Sequence, residues 1–562
     1  MPKGQVERLD ISVAIVGGGP VGLAVALDLG RYGVDCVLIE QGEQAVQADN
    51  AKAVDVNMRT MEYCRRWGIA EEVRNLGFNP DYPHDTIYVT SLTGHMLARQ
   101  PQPSFTELRT PVVAAERIAR CPQTIFDPIL KRTAASFPSV QFRYQTRCEE
   151  IHQDDNCVTL TLVDTLGGVK DTLRASYVAC CDGANSSLRP ALGIEMEGPG
   201  MLSYNANVVF RSDELLTIHD KGAGFYTAIG PEGRWASILA VDGHSLWRMH
   251  VSKPVDGVHF ERAEAEALIR RFAGTDFRFE VVSARVWARR EVVAKRYQAG
   301  RVFLLGDCAH QLPPAGGFGM NTGIGDATNL TWKLAATLDG WGGPELLASY
   351  ERERLPVGTR NVNAAAGRWN EVRDRTEPPG PAILQDGPEG EMVRAKVTQA
   401  LEKTLNGHSP GYEFGARYED VGLQLGYRYA DSPVIISDGR LPPADDVRVY
   451  SNAASPGARA PHFWLEHNRS ILDLFGDGFV LLRLSSTAPN TDLFESAAKA
   501  ARMPLTVHSF DIPHLLHLYN KRLVLVRPDG HVAWRSDDLP PDAAALLDFV
   551  RGARLERVLD QV

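Results

Sequence analysis

Concentrated positive charge is missing from this sequence. Its 60 Lys and Arg residues are outnumbered by 70 Asp and Glu, the formal net charge is −10, and no long block of consecutive basic residues occurs. Nucleic-acid binding needs a dense basic surface and is not expected. Long apolar runs are missing too. None approaches the roughly 20 residues that span a bilayer, and the opening MPKGQVERLD has no apolar signal core. A cytoplasmic setting is the expectation. Cysteine is sparse: eight residues, at 36, 64, 121, 148, 157, 180, 181 and 308, none in a C-x-x-C pair and none with a cluster of His around it. This excludes a disulfide framework and a zinc site and leaves reduced, buried thiols. No metal is expected. What remains is an ordinary globular composition, 44% hydrophobic and 23% charged, in a chain of 562 residues. That is too long for one compact core and predicts two to four domains.

The apolar run Ile11–Val16, a helical pattern over 20–32 and a second apolar run over 34–40 form a βαβ unit. Alternating patterns over 142–187 and again over 200–255 predict antiparallel strands. A helix is expected near 261–273, a buried strand at 301–307, and a long helical stretch from about 322 to 374, broken near Gly342–Pro344. Residues 377–390 are dense in Pro and Gly, which argues against a regular element and for a linker. Beyond it, a helix then a strand over 465–485, strands at LTVHSF, RLVLVRPDG and HVAWRS, and a helix over 541–551 describe a small α/β unit.

Gly17-Gly18-Gly19-Pro20-Val21-Gly22 fits G-x-G-x-x-G in its required place, after a strand and opening a helix. Gly17 permits the tight turn, Gly19 lets the backbone approach a diphosphate, and Gly22 allows close helix–strand packing. The helix N-terminus adds partial positive charge and free N–H groups for phosphate. Glu40 closes the second strand, where an acid accepts hydrogen bonds from ribose hydroxyls. Two further loops follow strands: Cys181-Asp182-Gly183-Ala184-Asn185-Ser186-Ser187-Leu188-Arg189, and Gly306-Asp307 after RVFLL. Alone, each Asp-Gly or Gly-Asp pair is only a turn signal; the three motifs in this order are far more specific. In the loop Pro313 to Asn321, Gly316, Gly317 and Gly319 let backbone N–H groups converge, and a helix beginning near Asn321 aims its positive end at the same point. Such a loop suits the negative charge of a reduced flavin ring.

These motifs resemble those of the group A flavoprotein aromatic hydroxylases, the class that includes p-hydroxybenzoate hydroxylase. The resemblance implies FAD, with NADH or NADPH as co-substrate. It implies that Gly17, Gly19, Pro20, Gly22 and Glu40 hold the ADP part. Asp182 and Arg189 would serve the nicotinamide, Asp182 also FAD. Gly306 and Asp307 would meet the ribityl chain, and Pro314, Gly317, Gly319, Met320 and Asn321 the flavin ring. Lys52, where the family usually has Arg, and Gln123 match lesser contacts; Lys lacks the fork geometry of Arg. Gly426 to Pro433, Pro456 to Pro461, and Leu525 to Gly530 with Ala533 to Arg535 resemble the thioredoxin-like tail of the phenol hydroxylase and 3-(3-hydroxyphenyl)propionate hydroxylase branch. The implied fold is α/β: a Rossmann-like FAD-binding domain interleaved with a β-rich substrate domain, plus a C-terminal thioredoxin-like domain. The expected boundaries are 1–376 for the interleaved pair, with FAD parts about 8–190 and 285–376 and the substrate part about 191–284, then 377–400 as linker and 401–562 as the tail. The tail contains no cysteine, so thiol–disulfide chemistry is excluded there.

The implied reaction is hydroxylation of a phenolic or other small aromatic substrate with dioxygen through a flavin hydroperoxide, by a single-component enzyme that resemblance suggests is a homodimer. A base or acceptor for the phenol would assist. Tyr204, Tyr226 and Asp55 are the candidates, with His244 and His250 considered beside them as surface or packed residues. Phe225, Trp235, Trp247 and Met249 could line an apolar pocket, although aromatic residues on strands are usually core. The rivals are a halogenase, whose W-x-W-x-I-P segment is missing here, a monooxygenase of a polycyclic polyketide, and a non-catalytic flavin-binding regulator.

Overall fold

The computed structural model describes residues 10–43, 54–76, 78–251, 260–314, 316–373, 377–406 and 420–553. Three sheets organise it. The first has a parallel centre in the order Val302–Leu304, Lys170–Cys180, Ile11–Val16, Cys36–Ile39 and Val140–Arg143. Ile11–Val16 and Cys36–Ile39 read as nearly continuous apolar runs because they are covered on both faces. Helix Pro20–Arg31 packs on this sheet and is buried from Gly22 to Gly30. Thr146–Gln153 and Val158–Asp164 add an antiparallel hairpin to Lys170–Cys180.

The second sheet has eight strands, built mainly from 196–294. It also takes Thr86–Val89, Met96–Gln100 and His310–Gln311 from segments on either side, and Glu280–Ala294 runs well past the expected boundary at 284. That strand spans 15 residues, paired along most of its length with Met196–Arg211. The chain therefore passes between the two sheets several times, which a partition by segment could not capture. One face of this sheet buries Trp235, Trp247, Met249, Ala228 and Ile238 under helix Arg262–Ala273. The helix ends at Gly274 in the left-handed region, φ 78°.

Helices Phe318–Leu338 and Pro344–Arg373 follow, separated by residues 339–343, close to the break expected near Gly342–Pro344. Residues expected to form an irregular linker instead form a 3-10 turn, Pro381–Leu384, and helix Pro388–Asn406. Pro388 opens that helix, where its missing N–H costs nothing. Ile383, Val397 and Leu401 bury against Leu97 and Ile229 of the second sheet. The helix is thus set by tertiary burial that local composition does not report.

The third sheet orders Leu505–Ser509, Phe479–Arg483, Leu523–Val526 and Val532–Ser536, with the first pair parallel. Helices Asp492–Ala500, Pro513–Tyr519 and Ala543–Val550 flank it, giving the thioredoxin-like unit. The helix expected at the start of 465–485 is replaced by short strands, Trp464–Glu466 and Arg469–Ser470, and a 3-10 turn, Ile471–Leu474. Asn468, in the left-handed region at φ 58°, makes a hairpin turn where the helical pattern would have run through. Trp332, Trp341 and Leu346 share one core with Phe479, Leu481 and Leu525, so the tail is packed onto helices Phe318–Leu338 and Pro344–Arg373.

Candidate active site

A cavity of about 1700 Å³ lies between the first and second sheets. Its volume exceeds the roughly 300–1,000 Å³ of a single small-molecule site, which leaves room for two ligands side by side. The glycine motifs form one end. Gly17 has φ 111°, and a Cβ there would stand 2.2 Å from the carbonyl oxygen of Cys181. A Cβ on Gly22 would stand 2.0 Å from the carbonyl oxygen of Gly17. These two glycines serve chain packing. Gly19 differs: it lines the cavity, and a Cβ there would meet nothing within 4 Å. The space in front of Gly19 is what a diphosphate requires. Glu40 accepts hydrogen bonds from the N–H of Gly18 at 2.7 Å and of Gly42 at 2.8 Å, so the acid braces the loop itself.

The other two motifs meet the first across the strand ends. Gly183, Ala184 and Asn185 line the cavity. Asp182 stands behind them; its Oδ1 is buried with no hydrogen-bond partner among the described residues, and burial raises its carboxyl above the usual range. An orphaned acceptor at this position fits a ligand hydroxyl. Arg189 is turned away from the cavity and donates to the carbonyl of Cys308 at 3.2 Å, joining the second motif to the third. Asp307 lines the cavity. Gly306 has φ 67° and donates to Asp326 Oδ2 at 3.1 Å. Asp326 is fully buried between His310 at 2.8 Å and Arg354 at 2.7 Å. Burial alone would raise its carboxyl, but Arg354 and His310 hold it below the usual range. This buried triad supports the third motif and was not legible from spacing, since its members are spread from 310 to 354.

Pro314, Gly317, Gly319 and Met320 line the same end. The helix begins at Phe318, three residues before Asn321, because Gly316 and Gly317 at φ 89° and 72° complete the turn early. The Asn321 side chain is spent on the fold: it accepts from Asn57 N–H at 3.0 Å and donates to the carbonyls of Asp55 at 3.1 Å and Gly317 at 2.7 Å. Gln123 lines the cavity while donating to Asp127 at 3.0 Å. Lys52 lies outside the described residues. The open approach at Gly19, the orphaned Asp182 oxygen and the paired left-handed glycines fit FAD.

The second sheet forms the far wall. Tyr204 and Asp55 line the cavity, with the Asp55 carboxylate 3.5 Å from Arg120. Tyr226 does not. It is fully buried on the opposite face of the sheet, and its hydroxyl donates to the carbonyl of Gly222. His244 is exposed on a turn, whereas His250 lines the cavity. The expected apolar lining is also corrected: Trp235, Trp247 and Met249 are core residues behind the sheet, and only Phe225 of that set reaches the cavity. In their place stand Arg234, Arg248, Arg285 and Arg290. The signal for them was present in Trp247-Arg248-Met249-His250: strict alternation sends the apolar pair to one face and the basic pair to the other. Arg290 also reaches Asn185 Oδ1 at 3.2 Å and Gln311 Oε1 at 3.4 Å, tying the sheet to the flavin-side loops.

Comparison with known proteins follows the same division. Residues 10–365 match the model of an FAD binding domain, and residues 453–560 that of the aromatic-ring hydroxylase C-terminal domain. The tetracenomycin B2 monooxygenase-dioxygenase of Streptomyces olivaceus is 31% identical, over 98% of this chain and 100% of that one. The phenol 2-monooxygenase of a Pseudomonas species is 27% identical, over 98% and 93%. Among solved structures, the rebeccamycin biosynthetic enzyme RebC with reduced flavin superposes with a TM-score of 0.85 at 37% identity, covering 97% of this chain and 99% of that one. A ternary complex of aklavinone-11 hydroxylase with FAD and aklavinone gives 0.79 at 27% identity, covering 97% and 99%.

Proposed function

Because the chain belongs to the FAD-dependent aromatic-ring hydroxylases, we propose that it uses NADH or NADPH and dioxygen to hydroxylate an aromatic compound larger than a single unsubstituted ring. The observation that carries the size is the cavity wall. It is five strands wide, each about 4.8 Å from the next, with Thr227, Ser237, His250, Asn207 and Arg285 facing the space. A benzene ring would leave most of that width uncovered. A polycyclic or long-substituted phenol would span it.

When bound, FAD supplies hydride acceptance and dioxygen activation. The protein supplies placement. The backbone at Gly19 receives the diphosphate without obstruction, and Asp307 and the buried Asp182 oxygen offer acceptors for hydroxyl groups. The first N–H groups of helix Phe318–Leu338 bring positive charge to the ring end, which favours the reduced anionic flavin. Gly183 and Asn185 border the cavity and serve as the approach for nicotinamide in this reading. No described helix is long and apolar enough to cross a membrane; a cytoplasmic setting and a homodimeric working form belong to the same proposal.

The test is spectroscopic. FAD in the purified protein should bleach anaerobically with NADH or NADPH, and faster when a fitting phenol is present. A flavin that stays oxidised with both nicotinamides, across a panel of mono- and polycyclic phenols, would contradict the proposal.

A further inference from the structure

One polar row crosses the cavity wall. Arg285, Asn207, His250, Ser237 and Thr227 are successive register partners on five strands. Within it, His250 Nδ1 lies 3.1 Å from Asn207 Oδ1. An amide oxygen only accepts, so the proton is on Nδ1 and Nε2 carries the lone pair. That Nε2 is buried and has no hydrogen-bond partner among the described residues. A buried acceptor left in this state is costly unless a ligand answers it. The rings of Trp287 and Trp369 stand 5.7 and 6.0 Å from the imidazole and give the acceptor an aromatic surround.

We propose that His250 accepts a hydrogen bond from a ring hydroxyl of the aromatic substrate, and that Asn207 is the positioning residue that fixes its tautomer. The inference rests on the hydroxylase reading above and names what the wall selects: a free hydroxyl rather than its ether. Burial pushes the His250 imidazole down to about 3, and the Arg234 and Arg248 guanidinium groups push the same way. His250 therefore stays neutral. It orients the hydroxyl and does not carry the proton away, while the two cations beside it keep the imidazole uncharged.

Two readouts on the FAD-loaded full chain test this. In ¹⁵N-histidine correlation spectra, His250 is the signal lost in His250→Phe among the 15 histidines. It should be a neutral Nδ1–H tautomer at pH 7, and Asn207→Leu should abolish that preference. An Nε2–H tautomer or a charged ring overturns the proposal, and this readout needs no substrate. Second, 2-naphthol should bind more tightly than 2-methoxynaphthalene by roughly tenfold, the worth of one buried hydrogen bond, as read from the flavin absorbance. His250→Phe should bring the ratio close to one with FAD content unchanged. A ratio that survives the substitution overturns the proposal. NAD(P)H oxidation that no arene accelerates is instead the failure of the hydroxylase reading, and leaves the tautomer result to stand or fall by itself.

Discussion

Glu353, on helix Pro344–Arg373, receives two hydrogen bonds from Arg527 at the end of strand Leu523–Val526, at 2.6 and 2.8 Å, with both side chains fully buried. Lys333 adds a third at 2.7 Å and Ser432 a fourth at 2.6 Å. The thioredoxin-like tail is therefore fastened to the flavin side by charge inside a shared core. A buried pair contributes little relative to apolar packing, but removing Arg527 leaves the buried Glu353 and Asp529 carboxylates short of positive charge, with Lys333 still on Glu353. Arg527→Ala should lower the unfolding free energy by about 3–5 kcal/mol, measured by urea denaturation. A loss below about 1 kcal/mol, the range of exposed pairs, would contradict this role.

The same carboxylate sets an acid limit. Burial alone would raise Glu353, but Arg527 and Lys333 overcome it and hold the group at about 2 against an ordinary 4.5. A depressed carboxylate stabilises the fold above its unfolded value, and that contribution is lost as pH falls from about 4.5 through about 2. Glu353→Gln should flatten the dependence of stability on pH in that window by about one proton. An unchanged acid limb in urea titrations between about pH 2 and 5 would show that other carboxylates set it.

The glycines of the first motif should separate by role. Gly19→Ala adds a methyl to open space, so stability should change by no more than about 0.5 kcal/mol. FAD affinity should fall by roughly tenfold or more, about 1.4 kcal/mol, because the methyl intrudes on the diphosphate. Gly22→Ala drives a methyl into the Gly17 carbonyl and should cost about 1–3 kcal/mol of stability. Thermal melts with and without added FAD, and the retained yellow colour, distinguish the two. Equal behaviour of both variants would contradict the assignment.

Tyr226 is a residue the sequence offered for catalysis and the fold assigns to the core. Tyr226→Phe should leave turnover of any accepted phenol unchanged. Losing the hydrogen bond to the exposed Gly222 carbonyl should cost about 0.5–1.5 kcal/mol of stability. A large fall in hydroxylation at unchanged stability would return Tyr226 to the mechanism.

The glycine loops at one end of the cavity were legible because their signals are local. Gly17 to Gly22, the Asp182 loop and Gly306-Asp307 each sit at a strand end where the chain must turn, and turns demand particular residues within a few positions. The substrate wall was less legible because its chemistry is distributed. His250, Asn207 and Arg285 come together only through pairing of three strands separated by tens of residues. Even so, alternation over Trp247–His250 held the answer on which face was polar. Helix Pro388–Asn406 was missed because its reason is Leu97 and Ile229 beneath it, and the buried Asp326 triad because no local spacing joins His310 to Arg354.

Isotope transfer separates ring hydroxylation from uncoupled nicotinamide oxidation. The FAD-loaded protein, given NADH or NADPH and a panel of phenols under ¹⁸O₂, should yield an aromatic product carrying one ¹⁸O atom, at a rate that tracks nicotinamide oxidation. Nicotinamide oxidation that produces only hydrogen peroxide across the panel, or a hydroxylated product whose new oxygen comes from water, would contradict the account.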